Sequence, residues 1–280
     1  GIDDIDVGNV GSNLDSRTYN ITYYNTSPMK NDTKYIDKIF GLGKINSDIL
    51  TISDGNRLTA ERTGHQVYGT LKIKDEYKKN NYTLIPSGQI DLGHTKLDGY
   101  SEIGTSAISV DDQHITTQNL RAALALVDDL STDKYIFKRH GKLEYLVDAD
   151  RSSSFEYNYV SDSSSILNDT LKTGALHNLN FEIGIDIVFP ERFSLFAIYE
   201  RNQTFDNGYS GHTDNLYLAV GYLPNKDTEY AFSLNGSENL VSNFEIKKKI
   251  NDYNISFNLA ENLMNLGEAS NASINVNKVF

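Results

Sequence analysis

Histidines and aspartates are the side chains of this 280-residue chain that could perform acid–base chemistry, and six of its residues are histidines. Eight of these groups fall near the ends of alternating segments or in the connections: His94, His114, His140, His177, His212, Asp148, Asp150 and Asp214. A His base paired with Asp or Ser is the chemistry of a hydrolase, and it needs direct hydrogen-bond contact between the partners. No spacing here fixes such a contact, so we expect no enzymatic activity.

The composition of the chain excludes or disfavours several other kinds of functional site. The chain has no cysteine, which excludes thiol nucleophiles, disulfides and thiolate metal sites. Acidic stretches such as Asp148 to Asp150 lack the spaced ligands and closing Glu of a dedicated calcium loop, so we expect no metal and no cofactor. A formal net charge of -12 disfavours nucleic acid as a partner, because phosphate binding needs basic patches.

The segments that would position these groups read as β-strands. From Leu179 to Phe189, every second residue is apolar, and the residues between them include Glu182 and Asp186. Side chains of a strand point alternately to opposite faces, so this segment has one apolar and one polar face. The same alternation occurs in thirteen segments, of which the last is Ala272 to Phe280.

The connections between these segments alternate in length. Short turns at Ser27 to Lys34, Lys78 to Asn80, Asp128 to Lys134, Pro190-Glu191, Pro224 to Thr228 and Asn251-Asp252 interleave with longer polar stretches at Asp48 to Gly64, Thr95 to His114, Asp150 to Ala175, Gln203 to His212, Gly236 to Ser242 and Asn262 to Ser270. Transmembrane barrels sort short periplasmic turns from long extracellular loops in this way. No apolar run reaches the roughly 18 residues of a membrane-spanning helix. We therefore predict an all-β fold, an antiparallel transmembrane β-barrel of about 12–14 strands.

The two faces then have different surroundings. Unpaired backbone groups are costly in hydrocarbon, so the sheet closes and the apolar face becomes the outside. The polar residues predicted to face the lumen are Arg121, Glu144, Glu182, Asp186 and Glu200, together with Lys72, Lys74, Glu76, Gln89 and Asp91. These charges are either the lining of a translocation path or a salt-bridged network that stabilises the barrel.

Local sequence resembles one family of barrels. The residues concerned are Gly99 to Glu102, Ala107 to Gln113, Leu120 to Leu124, Lys142 to Tyr145, Gly184, Phe193 to Phe196, Tyr199-Glu200 and His212 to Tyr222. In this order they resemble the β-domains of autotransporters, the translocators of type V secretion. The resemblance covers about residues 17 to 223 and implies a barrel in the bacterial outer membrane. It also implies an N-terminal passenger, the barrel-assembly machinery, and outer-membrane lipid and lipopolysaccharide as partners.

The chain departs from the family pattern at both ends. We expect one barrel domain over residues 1–280, with a lead-in at 1–16, family-like strands at 17–223 and four additional strands at 224–280. Either the additional strands replace missing N-terminal ones, or residues before Gly1 have been removed. The resemblance makes Phe280 the assembly signal, while Lys278 stands where that signal usually has an aromatic residue.

The expected function is that of an outer-membrane translocator that exports or displays a passenger. An alternative is an adhesin-like or porin-like barrel that binds ligands through its long loops, and a soluble β-sandwich is a third. An odd count of thirteen strands, with Phe280 at the periplasmic side, places the N-terminal end at the extracellular side, where a passenger lies.

Overall fold

The computed structural model of the protein describes residues 2–7, 11–29, 33–172, 174–189, 192–206, 209–237, 240–264 and 271–278. In these ranges the secondary structure is β-strand without helix. The strands are β1 (Ile2–Val7), β2 (Ser12–Pro28), β3 (Lys34–Ser53), β4 (Asn56–Asp75), β5 (Tyr77–Lys79), β6 (Tyr82–Leu97), β7 (Tyr100–Ser101), β8 (Ile108–Val110), β9 (Gln113–Asp129), β10 (Ile136–Asp148), β11 (Ser152–Tyr159), β12 (Asp162–Lys172), β13 (His177–Phe189), β14 (Phe193–Asp206), β15 (Tyr209–Asn225), β16 (Thr228–Gly236), β17 (Leu240–Ile250), β18 (Tyr253–Asn262) and β19 (Asn271–Lys278).

One large sheet contains most of these strands. Its hydrogen-bonded order is β1-β2-β3-β4-β6-β9-β10-β13-β14-β15-β16-β17-β18-β19, and β5 pairs with β6. Within the described ranges, β1 and β19 are the two ends of this order. The thirteen strands predicted from alternation are all present, and β1 is a fourteenth, so the prediction of an antiparallel sheet of about 12–14 strands is confirmed.

Strand β1 lies in the segment that we expected to be a lead-in. It pairs with the beginning of β2, from Val7 opposite Ser12 to Ile2 opposite Arg17. It therefore lies beside the first residues of β2, Ser12 to Arg17. The apolar alternation of β2 begins after them, at Tyr19. Strand β2 starts at the same end of the sheet as the β3–β4 turn, since Asn13 is opposite Leu50.

The segment from Asp48 to Gly64 is not a loop, and our interpretation of it was wrong. Strands β3 and β4 each run for 20 residues and meet at Asp54 and Gly55. Both residues have positive φ, 49° and 76°, as a two-residue hairpin turn of the type favoured by strand twist requires. A membrane crossing takes only about 9–11 residues of strand. This hairpin is therefore about twice as long as one crossing needs.

Two other predicted loops are also structured. Residues from Thr95 to His114 and from Asp150 to Ala175 contain β7, β8, β11 and β12, which form a second antiparallel sheet of order β12-β11-β8-β7. We call this the loop sheet. The sequence missed it because β7 and β8 are very short and because half of the residues in its four strands are Ser, Asn or Asp, which are typical of loops.

Contacts group the chain into two compact units. Unit 1 comprises Gly1–Lys74, Ser87–Arg121 and Leu146–His177, and unit 2 comprises Asp75–Pro86, Ala122–Tyr145 and Asn178–Phe280. Unit 1 contains the loop sheet, and unit 2 contains the C-terminal hairpins. In the part of the chain that is described, no helix qualifies by length and hydropathy as a membrane span.

Candidate functional site

The large sheet exposes its apolar side chains. In unit 1 these are Tyr19, Ile21, Tyr23, Phe40, Leu42, Val67, Leu71, Ile73, Ile90, Leu92 and Leu120, and in unit 2 Leu124, Leu126, Leu143, Tyr145, Phe181, Ile183, Leu216, Phe232, Phe244, Phe257 and Leu259. We call these residues the apolar face. Residues that lie directly opposite each other on neighbouring strands both belong to this face, for example Ile21 and Leu42, or Phe232 and Phe244. Water does not favour an apolar surface of this extent, whereas lipid does.

Exposed aromatic residues flank the short turns of unit 2. They are Tyr77, Tyr82, Phe189, Tyr222, Tyr230 and Tyr253. The rings of Tyr222 and Tyr230 stack across the β15–β16 turn with centroids 6.5 Å apart. Aromatic girdles of this kind lie at the membrane–water interface of outer-membrane barrels, because their rings are partly apolar and partly polar. The short-turn end of unit 2 therefore has the composition of an interface.

Charged residues on the opposite face are paired across strands. In unit 1, Arg121 Nε lies 3.0 Å from Asp91 Oδ2. Asp91 Oδ1 also accepts hydrogen bonds from Thr70 Oγ1 at 2.6 Å and Gln89 Nε2 at 2.8 Å. The Asp91 carboxylate thus has partners on its own strand and on both neighbouring strands. These charges are paired, and whether they line a translocation path or form a network that stabilises the barrel stays a prediction.

In unit 2, Glu144 is buried, with 9% of its surface exposed. Lys142 Nζ lies 2.8 Å from Glu144 Oε2, and Asn180 Nδ2 donates to Glu144 Oε1 at 3.3 Å. A buried carboxylate is costly unless it is paired. The pairing therefore accounts for the position of Glu144, and whether this face lines a lumen stays a prediction.

His140 connects the other predicted polar residues of β13. Its Nε2 lies 3.6 Å from Glu182 Oε1 and its Nδ1 lies 4.0 Å from Asp186 Oδ2. The imidazole occupies the space above Gly184, where a Cβ would collide with it. Glu200 is exposed and lines a cavity of about 250 Å³ together with Lys142, Asn180, Glu182, Arg201, Asn202 and Asn215.

The buried apolar residues of the described ranges all lie in unit 1, where the loop sheet meets the long hairpin. Leu58 is 3% exposed and Val110 is 4% exposed, and Ala60, Ala107 and Ala175 are buried as well. The backbones of Thr59 and Ile103 exchange hydrogen bonds at 3.3 and 2.9 Å. The loop sheet is therefore a packed part of the fold with its own small core.

Four buried or half-buried polar residues, Arg62, Glu102, Gln113 and Ser153, hold this junction together, and we call them the junction cluster. Arg62 Nη1 donates to Gln113 Oε1 at 3.2 Å, and Gln113 Nε2 donates to Ser153 Oγ at 3.0 Å. Glu102 accepts from Thr51 Oγ1 at 2.9 Å. Side chains thus link β4, β9 and β11, and a separate hydrogen bond joins β3 to Glu102, which follows β7.

The rim beside the junction cluster carries an exposed charge cluster. Lys96 Nζ lies 2.6 Å from Asp112 Oδ2 and 3.6 Å from Asp98 Oδ1. The hydrogen bond from Lys96 lowers the pKa of Asp112, and the hydrogen bond from Thr63 lowers the pKa of Asp98. Both carboxylates therefore remain ionised at acidic pH values at which an ordinary aspartate is already protonated.

The histidines considered for catalysis occur in separate surroundings. His94 and His114 stack with ring centroids 5.3 Å apart. His212 Nε2 lies 3.6 Å from Asp214 Oδ2, and that carboxylate also accepts from Tyr199 Oη at 2.7 Å. Phe280 lies outside the described residues, so its role stays a prediction.

Sequence reasoning missed the junction cluster, because its residues form no motif. The only sign of it in the sequence was Arg62, a lone arginine inside a predicted strand.

The profile of the family described as "Autotransporter beta-domain" matches residues 1–200. Among solved structures, the ferric yersiniabactin uptake receptor FyuA from Yersinia pestis is similar with a TM-score of 0.53 and 11% identity, over 95% of this chain and 54% of FyuA. The siderophore receptor PiuA from Acinetobacter baumannii has a TM-score of 0.47 and 10% identity, over 96% of this chain and 48% of PiuA. The chain thus spans about half the length of these structures.

No curated protein sequence is a significant match. The likeness to FyuA shows the fold, that of an outer-membrane β-barrel. The family match rests on the sequence of the chain, whereas the likeness to FyuA rests on its backbone structure.

Proposed function

The chain belongs to the autotransporter β-domain family, and from this membership we propose that it anchors and exports or displays a passenger attached before Gly1. The protein is located in the bacterial outer membrane. The observation that supports the proposal most strongly is the match of the family profile over residues 1–200, and the exposed apolar face agrees with it, because lipid favours such a surface.

The start of β2 and the pairing of β1 bear on this role in opposite ways. Strand β2 begins beside the β3–β4 turn, at the end of the hairpin that contacts the loop sheet. Loops and domains of such barrels are placed on the extracellular side, whereas short turns are periplasmic. Strand β1 runs back along β2, because Val7 lies opposite Ser12 and Ile2 lies opposite Arg17. The odd strand count from which an extracellular N-terminal end was predicted is therefore not found in the described strands, and the side on which a passenger leaves stays a prediction.

The proposed activity uses no cofactor and no catalysis. The paired charges around Asp91, Glu144 and His140 stabilise a polar interior instead of acting on a substrate. Outer-membrane lipid contacts the apolar face, and lipopolysaccharide contacts the extracellular rim. We infer no role for nucleic acid, since the net charge is -12.

A reporter experiment tests the export of a passenger. A signal peptide and a reporter domain are fused before Gly1, and an epitope is placed at the exposed Thr105 of the loop sheet. We expect protease added to intact cells to remove the reporter. A barrel whose Thr105 epitope is labelled from outside while its reporter stays in the periplasm would contradict export without contradicting insertion.

The assembly machinery is the remaining partner, and Phe280 is the residue proposed to contact it. Deletion of Phe280 should lower the amount of inserted barrel while the molecules that insert behave normally. Lys278→Tyr should leave insertion equal or improved, although it removes the contact of Lys278 Nζ with the Tyr253 ring at 5.9 Å. Unchanged insertion after the deletion would show that Phe280 is not an assembly signal.

A second candidate function is ligand binding through the extracellular segments, as an adhesin-like or porin-like barrel would perform. The packed loop sheet favours it, because a built surface with its own core is more than a passenger anchor requires. In the reporter experiment, this function predicts an inserted barrel that leaves the reporter in the periplasm.

A further inference from the structure

Two histidines on neighbouring strands of unit 1 face each other through their ring nitrogens. His94 is in β6 and His114 is in β9, and these strands are adjacent in the large sheet. His114 Nδ1 lies 3.3 Å from His94 Nε2, while the ring centroids are 5.3 Å apart and the ring planes differ by 23°. Because the nitrogens are much closer than the centroids, they are the parts of the two rings that face each other.

The separation of these two nitrogens fits a shared metal ion. Two nitrogen ligands at about 2.0–2.1 Å from a tetrahedral Zn²⁺ are about 3.3–3.4 Å apart, which matches the distance between the His94 and His114 nitrogens. The same distance is longer than usual for a hydrogen bond from a protein N–H group. Both side chains are exposed, so small rotations of the rings can direct both lone pairs at one ion.

The backbone beneath the pair is held in place by the junction cluster and by the sheet. Gln113, which precedes His114, is 4% exposed, and its Nε2 donates to Ser153 Oγ. The Ser153 hydroxyl donates in turn to the backbone oxygen of His114 at 2.8 Å. His94 lies opposite Val67 in the regular pairing of β6 with β4. An ion bound by the two imidazoles would therefore not have to order the backbone, which lowers the cost of binding.

The lysine beside the pair is neutralised by carboxylates. Lys96, two residues after His94, has its Nζ 2.6 Å from Asp112 Oδ2 and 3.6 Å from Asp98 Oδ1. Its charge is therefore offset and does not oppose a cation at the imidazoles. In the described ranges, no group of three or more His, Asp and Glu side chains is placed to hold an ion, so the two imidazoles are the protein ligands.

We propose that His94 Nε2 and His114 Nδ1 bind one divalent transition-metal ion of the Zn²⁺ or Cu²⁺ class, with water at its remaining positions. Imidazole nitrogen is a ligand that suits both ions. Two protein ligands bind more weakly than the three or four of most zinc sites, so the ion exchanges with the solution. The bound ion joins β6 to β9 beside the junction cluster, and the proposal is independent of passenger export.

Our expectation that no metal binds was drawn from the acidic stretches and the lack of cysteine. Neither feature carries information about two imidazoles that meet across neighbouring strands. The pair is separated by twenty residues in the chain, and its spacing matches no metal motif.

Copper binding tests the site, because imidazole nitrogens bound to Cu²⁺ are visible in its electron paramagnetic resonance spectrum. Untagged barrel is folded in detergent, freed of metal with a chelator, and titrated with Cu²⁺ and separately with Zn²⁺. We expect one site per chain, a copper spectrum with coupling to two imidazole nitrogens, and a higher midpoint of heat-modifiable gel migration in Zn²⁺. In His94→Gln and in His114→Gln, the affinity should fall at least tenfold and one nitrogen coupling should be lost.

His212→Gln is the matched control. His212 is also exposed, but its Nε2 lies beside a carboxylate, 3.6 Å from Asp214 Oδ2, instead of a second imidazole. This variant should keep the affinity and the coupling to two nitrogens. No copper bound by the folded wild-type barrel, coupling to a single nitrogen, or equal losses of affinity in His212→Gln and His94→Gln would overturn the proposal. The wild-type spectrum decides the question even where a variant folds poorly.

Discussion

The ring of Tyr68 lies directly over Gly41, in the space that a Cβ at position 41 would occupy. Its hydroxyl is 2.6 Å from Thr22 Oγ1, so one side chain spans from β4 across β3 to β2. Two residues further along β3, Gln66 Nε2 donates to Asn20 Oδ1 at 2.6 Å across Gly43. The glycines of β3 thus allow long polar side chains to cross a strand and connect its two neighbours.

Gly41→Ala should therefore displace the Tyr68 ring and break its contact with Thr22. Overpacking of this kind costs about 1–3 kcal/mol. We expect a lower midpoint in heat-modifiable gel migration. Gly88→Ala is the matched control, since its Cβ would approach only the Arg121 backbone oxygen at 4.0 Å. Equal effects of the two substitutions would contradict the role of the Tyr68 contact.

Ile183→Arg tests the apolar face. Ile183 is exposed at mid-strand in β13, and a cation on the lipid side near the midplane costs about 2–4 kcal/mol. We expect less inserted barrel and faster unfolding in urea. Asn202→Arg, on the polar side of β14, should change little. A reversed order of the two penalties would mean that the faces are exchanged.

Alternation places Gly184 on the polar face of β13, but the structure shows that Gly184 is unsuitable as a polar-side control. The His140 imidazole covers it, so any side chain there collides with the ring. Alternation predicted which face Gly184, Glu182 and Asp186 share, because that follows from the two-residue period of a strand. It could not predict His140, whose ring reaches over Gly184 from the neighbouring strand.

Gln113→Ala should detach the loop sheet. Gln113 is 4% exposed and contacts both Arg62 and Ser153, so its removal leaves buried polar groups without their partner. Such a loss costs about 1–3 kcal/mol. Proteolysis of the extracellular segments on intact cells should become faster while gel migration of the barrel is unchanged. The exposed Thr105→Ala serves as control, and equal proteolysis of both variants would contradict the junction.

The strands of the loop sheet could not be predicted from the sequence. They are two to eleven residues long, and Ser, Asn and Asp in them favour turns when read alone. The pairing of Val110 with Tyr157 joins segments that are far apart in the chain, and no local pattern encodes such a contact. The Asp54-Gly55 turn, in contrast, is a standard hairpin signal that could have shown the long hairpin from sequence.

Acid should open the rim around Lys96. The pKa values of Asp98 and Asp112 are lowered in the folded protein, so their ionised carboxylates stabilise the rim. This stabilisation is complete above the ordinary aspartate pKa near 4, and it is lost as the pH falls through the lowered pKa values of the folded protein. A dye on Thr105→Cys should therefore change its fluorescence only below about pH 4. Lys96→Met should move this change to higher pH, whereas Lys172→Met should not. A transition near neutral pH would contradict the assignment to these carboxylates.

The apolar face is the central claim, and lipid quenching measures it most directly. Single cysteines are placed at neighbouring residues on opposite faces, Ile183 against Glu182 and Leu124 against Ala123, and are labelled with a fluorophore. The barrel is then folded into vesicles that contain lipids with nitroxide-labelled chains. The account predicts strong quenching at Ile183 and Leu124 and weak quenching at Glu182 and Ala123. Equal quenching within each pair, or stronger quenching at Glu182 and Ala123, would contradict it.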